Sequence, residues 1–162
     1  MTDDIRVDSS FFDEMDGDTG VFFNIEDLDF NLSNQGNVEK WLYHFVTEED
    51  FTIKKIDYIF CSDQYLHSIN VEHLNHDTFT DIITFDLSTS NTSIESDIFI
   101  SIDRVKENAY NLKVSFQDEL LRVLAHGVLH LMGYKDKSSE DIVLMRQKEQ
   151  YCIDLYHRLF PS

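Results

Sequence analysis

The stretch Leu124 to Asp136, LAHGVLHLMGYKD, decides how the chain is read. Apolar residues fill the positions between His126 and His130 and continue upstream, so the spacing predicts a helix that stops at Gly133. Positions four apart lie on one helix face, so His126 and His130 present two ring nitrogens to one point. Gly133 can adopt the left-handed conformation that ends a helix, which turns the chain back and returns Asp136 toward that face. The pattern is H-x-x-x-H-x-x-G-x-x-D. Two imidazoles and one carboxylate are a common catalytic zinc set with a fourth position left for water, so His126, His130 and Asp136 are the expected ligands of one zinc ion. A histidine pair at this spacing arises often by chance, and the glycine and the third ligand within reach give the pattern its weight.

Competing readings are blander. Asp136 also fits a solvated acid in the polar loop KDKSSED. Leu121, Leu124, Val128, Leu129 and Leu131 read as helix core, and His44, His67, His73, His76 and His157 sit singly with no metal role. Zinc peptidases with this histidine spacing carry Glu directly after the first histidine as general base. Here that position is Gly127, which disfavours a peptidase.

At 162 residues the chain is sized for one domain. Its formal net charge of −18 repels phosphate backbones, so any nucleic-acid function must survive that objection. Part of the excess is local: Asp3, Asp4, Asp8, Asp13, Glu14, Asp16 and Asp18 crowd a start in which only Arg6 is basic. Residues 1–20 therefore read as a solvated acidic tail and residues 21–162 as the folded domain. No run of about eighteen apolar residues occurs, and MTDDIRVDSS lacks the basic start and apolar middle of a signal peptide, so no membrane is expected and the location expected is the cytoplasm. Cys61 and Cys152, widely separated, read as buried free thiols rather than a disulfide.

Along the domain, a strand is expected from Val21 in VFFNIED. A helix follows in NVEKWLYHFVTEED, with Val38, Trp41, Leu42, Phe45 and Val46 inward and Asn37 as its cap. KIDYIFCS alternates as a strand, and Ser62 caps a helix carrying Leu66, Ile69 and Leu74 inward. Strands are expected at Thr80–Leu87 and Ser96–Ile102, joined by a polar segment too short for a crossover helix, hence an antiparallel hairpin with an edge strand beside the site. Helices are then predicted from about Asp103, from Ser115 with Asp118 in a capping-box-like start, and from Ser138 or Ser139 to about Arg158. The fold class is α+β: one small mixed sheet packed with helices, in a single domain.

The residues HGVLHLMGYKD also resemble a known signature, the H-G-x-L-H-L-x-G-Y-D-H of the YbeY endoribonucleases, the bacterial rRNA maturation factors. Thr80–Phe85, TDIITF, is similar to the family's T-D-V-L-S-F, and Ser96–Ser101, SDIFIS, resembles its G-D-I-x-I-S strand. Met145 and Glu149 match an M-x-x-x-E in the last helix, where they read as helix packing and solvation with no catalytic role. The resemblance covers most of the chain after the tail. It implies a zincin-like α+β fold and one metal ion, usually zinc, held by three histidines. Carried onto this chain, His126 and His130 are the first two ligands; Asp136 stands where most members have histidine, and Lys135 where they have aspartate. A carboxylate ligand adds negative charge, which makes the metal a weaker Lewis acid. The family's arginine in a preceding Y-R-x-K-D segment aligns with Leu74, which cannot hold a phosphate. His73, His76, Arg104 and Lys106 are the expected substitutes.

The function implied is a single-strand-specific, metal-dependent endoribonuclease that matures the 3′ end of 16S rRNA in ribosome biogenesis. Its partners would be single-stranded rRNA and the ribosomal small subunit or its proteins, whose help the acidity of this chain would require. The alternatives are a ribosome-assembly binding protein with a structural metal and a zinc-dependent peptide or amide hydrolase.

Overall fold

Val38, Trp41, Leu42, Phe45 and Val46 share one face of helix α1 (Gln35–Glu48) and are all buried there. This is the helical spacing of the sequence realised as packing. The computed structural model describes residues 19–74 and 79–162. The expected acidic tail lies outside them up to Asp18, as does His76. The elements in chain order are β1 (Gly20–Ile25), α1, β2 (Thr52–Cys61), α2 (Asp63–Leu74), β3 (Ile82–Asp86), β4 (Ser93–Ser101), α3 (Ile102–Leu112), α4 (Phe116–Leu131) and α5 (Ser139–Leu159).

The four strands form one mixed sheet in the order β1-β2-β4-β3. β1 pairs parallel with β2, and β2 parallel with β4, across the helical connections. β3 returns antiparallel to β4, with Ile83 opposite Phe99, as the short polar loop requires. That places β3 at the sheet edge.

Strand alternation gives the sheet two faces with different covers. Ile56, Tyr58, Phe60, Ile94, Ile98 and Ile100 point into the main core, shared with α1, α4 and α5. Cys61, Ile83, Phe85 and Phe99 point the other way and meet Leu66 and Ile69 of α2. Two polar bonds lock the main layer: Trp41 Nε1 donates to the Cys152 carbonyl at 2.7 Å, and Tyr58 Oη donates to the Leu124 carbonyl at 2.9 Å. The second draws α4, the histidine helix, onto β2.

Close contact of α4 with the strands depends on Gly127. A Cβ there would lie 3.0 Å from Ile82 Cδ1, 3.2 Å from Thr84 Oγ1 and 3.3 Å from Ile98 Cδ1. A side chain at this turn would fit only if Ile82, Thr84 and Ile98 gave way by a few tenths of an ångström.

Helix α1 starts earlier than expected. Its cap is Asn34, whose carbonyl accepts from Val38 N at 3.0 Å, and Asn37 lies inside the helix. The first turn precedes the first buried residue, Val38, so hydrophobic periodicity carries no mark of it. Ser62, Ser101, Ser115 and Ser138 all cap with their hydroxyls. The full reciprocal capping box is the one between Ser138 and Asp141, whereas Ser115 accepts from Asp118 N alone. Cys61 and Cys152 are buried and free. Among the described residues, no helix is long and apolar enough to cross a membrane.

Candidate metal centre

The end of α4 builds the site. Gly133 has φ +103°, and its N–H donates to the His130 carbonyl at 3.0 Å while Tyr134 N donates to the Leu129 carbonyl at 3.0 Å. This is the paired bonding that closes a helix on a left-handed residue. The reversal brings Tyr134 back over the last turn, where its carbonyl accepts from His130 Nδ1 at 3.0 Å.

A carbonyl only accepts, so with a cation between the ring and Asp136, whose Oδ2 lies 3.2 Å from Nε2, His130 would carry its hydrogen on Nδ1 and give the Nε2 lone pair to the ion. His126 is fixed in the same sense by a different partner: its Nδ1 lies 2.6 Å from Glu149 Oε2. A carboxylate likewise only accepts, which leaves His126 Nε2 open.

Both open nitrogens face Asp136. Its Oδ2 lies 3.2 Å from His130 Nε2 and 3.6 Å from His126 Nε2. The three ligand atoms lie within 4.8 Å of one another, close enough to share one metal ion. Ligands at ~2.1 Å in a tetrahedral array stand roughly 3.4 Å apart, so these separations suit a zinc-sized ion with little movement. Side-chain exposure rises from 19% at His126 to 34% at His130 and 44% at Asp136, so the third ligand side opens to solvent. An open side is what a catalytic site requires and a structural site does not.

Behind His126 lies a buried charge network. Glu149 and Glu119 are each 1% exposed. Arg122 bridges them: its Nε donates to Glu119 Oε1 at 2.9 Å, its Nη2 to Glu119 Oε2, and its Nη1 to Glu149 Oε1 at 3.2 Å. Burial raises the Glu149 carboxyl, but the His126 hydrogen bond and the nearby Arg122 and Arg146 charges outweigh it and hold the group below its ordinary value. Glu149 therefore stays ionised, aimed at His126, rather than solvated as its sequence position suggested.

The site opens into a cleft of about 900 Å³. Its floor is the edge strand, with Ile82 and Thr84; its sides carry Asn70 of α2, Asn108 and Asn111 of α3, and Arg146 of α5. The cations among its lining residues are Arg122 and Arg146.

Of the residues expected to contact phosphate, His76 lies outside the described residues, and His73, Arg104 and Lys106 do not line the cleft. Arg104 pairs with Asp63 at 2.7 Å and Glu107 at 2.8 Å and does not line the cleft. Lys106 is exposed on α3, outside the lining. The His73 ring stands edge-on to Phe85 at 6.4 Å. Arg122, Arg146 and Glu149 are the site residues that sequence reading missed. For Arg122 a signal existed: it precedes His126 by four residues and so shares the face of both histidines.

A family model described as Endoribonuclease YbeY matches residues 23–157. The protein of that name from Flavobacterium johnsoniae is 52% identical over 137 residues, covering 85% of this chain and 97% of the relative. The one from Cytophaga hutchinsonii is 48% identical over 135 residues, covering 83% and 94%. Among solved structures, that of TM1509 from Thermotoga maritima aligns with a TM-score of 0.61 at 24% identity, covering 86% of this chain and 91% of that one, a likeness of fold. The match spans the edge strand, the histidine helix and the helix bearing Glu149 together, and the chain belongs to the endoribonuclease YbeY family.

Proposed function

We propose that this chain is a metal-dependent endoribonuclease of rRNA maturation that cuts single-stranded RNA in the cleft, with zinc held by His126 Nε2, His130 Nε2 and Asp136. The observation that carries the reading is the pair of committed Nδ1 atoms: each histidine spends one nitrogen on a fixed acceptor and offers the other to the same point. Second contacts of this kind orient ligands and raise their basicity.

A bound zinc ion supplies a Lewis acid and an acidified water. The protein's own part is to orient and to exclude. Glu149 keeps the His126 ring from turning, the Tyr134 carbonyl does so for His130, and β3 floors the cleft beside Asp136, the most exposed of the three. RNA loops and ends fit such a cleft because their bases and phosphates are unstacked and accessible.

The charge of −18 sets the partner question. Affinity for RNA must come from a few local cations and from a further component, for which we propose the ribosomal small subunit, met in the cytoplasm. Family membership favours the nuclease over an assembly factor without activity. It also agrees with Gly127, which stands where a peptidase carries its general-base glutamate and where any side chain would press on Ile82, Thr84 and Ile98.

Elemental analysis of protein purified without added metal, beside the His130→Ala variant, tests the centre. About one zinc per chain in the first and loss in the second, with cleavage of a single-stranded RNA only by the first, is the expected result. Protein that carries and binds no metal would end this reading.

A further inference from the structure

Cations are scarce in the cleft, and the two present differ in what they have left to offer. Arg122 is spent: each of its three nitrogens donates to Glu119 or Glu149, and its side chain is 18% exposed. Arg146 is 61% exposed and gives only Nη1, which lies 2.9 Å from Glu149 Oε1. Among the described residues its Nε and Nη2 bond nothing.

Glu149 joins these groups. Its Oε1 accepts from both Arg122 and Arg146, and its Oε2 accepts from His126. A single buried carboxylate therefore links the guanidinium of Arg146 to an imidazole of the candidate metal centre. The remaining guanidinium edge is a planar pair of donors, the form that matches two oxygens of a phosphodiester. Around it the cleft presents Asp81, Asp86 and Asp136, which repel phosphate, so a polynucleotide backbone has one cationic edge to follow.

We propose that Arg146 is the substrate phosphate contact of this cleft, gripping a backbone phosphate of the RNA through Nε and Nη2 while Glu149 keeps it in register with His126. The inference rests on the nuclease reading above and assigns to α5 a substrate role that the metal centre alone does not contain.

The test uses the full chain with its metal bound and compares wild type, Arg146→Gln and Arg146→Lys on a single-stranded RNA oligonucleotide at several salt concentrations. Metal content is measured in parallel. Arg146→Gln should raise KM about tenfold, equivalent to ~1.4 kcal/mol, with a smaller change in kcat and unchanged metal content. Its salt dependence should flatten by about 0.7 in the log-log slope, the amount carried by one single-strand phosphate contact. Arg146→Lys should recover the slope but only part of the KM, since charge returns without the fork. A variant that cleaves with wild-type KM and slope overturns the proposal alone. Loss of metal in Arg146→Gln overturns it also, by making Arg146 a support of Glu149. A wild type that cleaves no RNA removes the nuclease reading, and this inference with it.

Discussion

Glu149 Oε2 lies 2.6 Å from His126 Nδ1, joining a carboxylate that is 1% exposed to an imidazole 23 residues earlier in the chain. The acid is buried among Arg122, Arg146 and His126, and removing it strands their charges and donors.

Two substitutions separate its roles. Glu149→Ala should cost ~3–5 kcal/mol, the cost of breaking a buried pair, in urea unfolding of metal-free protein. Glu149→Gln preserves shape and loses charge; zinc affinity, measured by competition with a chromophoric chelator, should fall roughly 10–100-fold. Equal zinc affinity in Glu149→Gln would show that the orientation of His126 does not depend on this bond.

Asp136 has the opposite balance of roles. It is 44% exposed and sits in a loop, so Asp136→Ala should leave folding stability within about 0.5 kcal/mol. Zinc affinity should nevertheless drop by at least about tenfold, since two imidazoles hold an ion less well than three ligands. Retained affinity would remove Asp136 from the metal set.

Gly127→Ala reverses the usual expectation for a helix. Alanine gains up to ~1 kcal/mol in helix propensity over glycine, but its methyl would stand 3.0 Å from Ile82 Cδ1. Overpacking of this kind costs about 1–3 kcal/mol, so chemical denaturation should show a net loss of up to about 2 kcal/mol. A stabilised variant would mean that β3 yields easily.

The two thiols give the pH behaviour. Burial pushes Cys61 and Cys152 up to about 12, with neighbouring carboxylates such as Asp27 adding to the effect at Cys61. At pH 8 neither should react with a disulfide reagent until the protein unfolds, when both should. The sign for stability follows. The folded pKa is raised, so the contribution is complete below the unfolded value of roughly 8.5 and fades as pH rises from there toward 12. Stability in urea should decline over that range, and less steeply in Cys152→Ala. Fast labelling of native protein would contradict the burial.

Much of this architecture can be read from local chemistry. The periodicity at Val38 to Val46, the serine caps and the polar loop before β4 each state their structure within a few residues. The His126, His130 and Asp136 grouping is similarly short-range, because one helix turn and one glycine bring it together. What escaped was non-local. Glu149 reads as a solvated acid on α5, since nothing near it in sequence announces Arg122 and His126 on another helix. Arg104 looked available for phosphate because Asp63, 41 residues away, is invisible as its partner until the chain folds. Asn34 caps a turn that buries nothing, so no periodicity marks it.

The cleft floor is also a sheet edge, and an edge strand is a standing invitation for another chain to pair with it. β3 limits that hazard by its brevity, five residues, and by an acid at each border. Asp81 is held by Asn108 Nδ2 at 3.3 Å, and Asp86 Oδ1 accepts from Ser88 N at 2.9 Å. Two copies meeting edge to edge would bring these carboxylates into opposition. The strand can thus stay open while discouraging self-association, and the same charges that would hinder RNA binding protect the protein from aggregating through its own cleft.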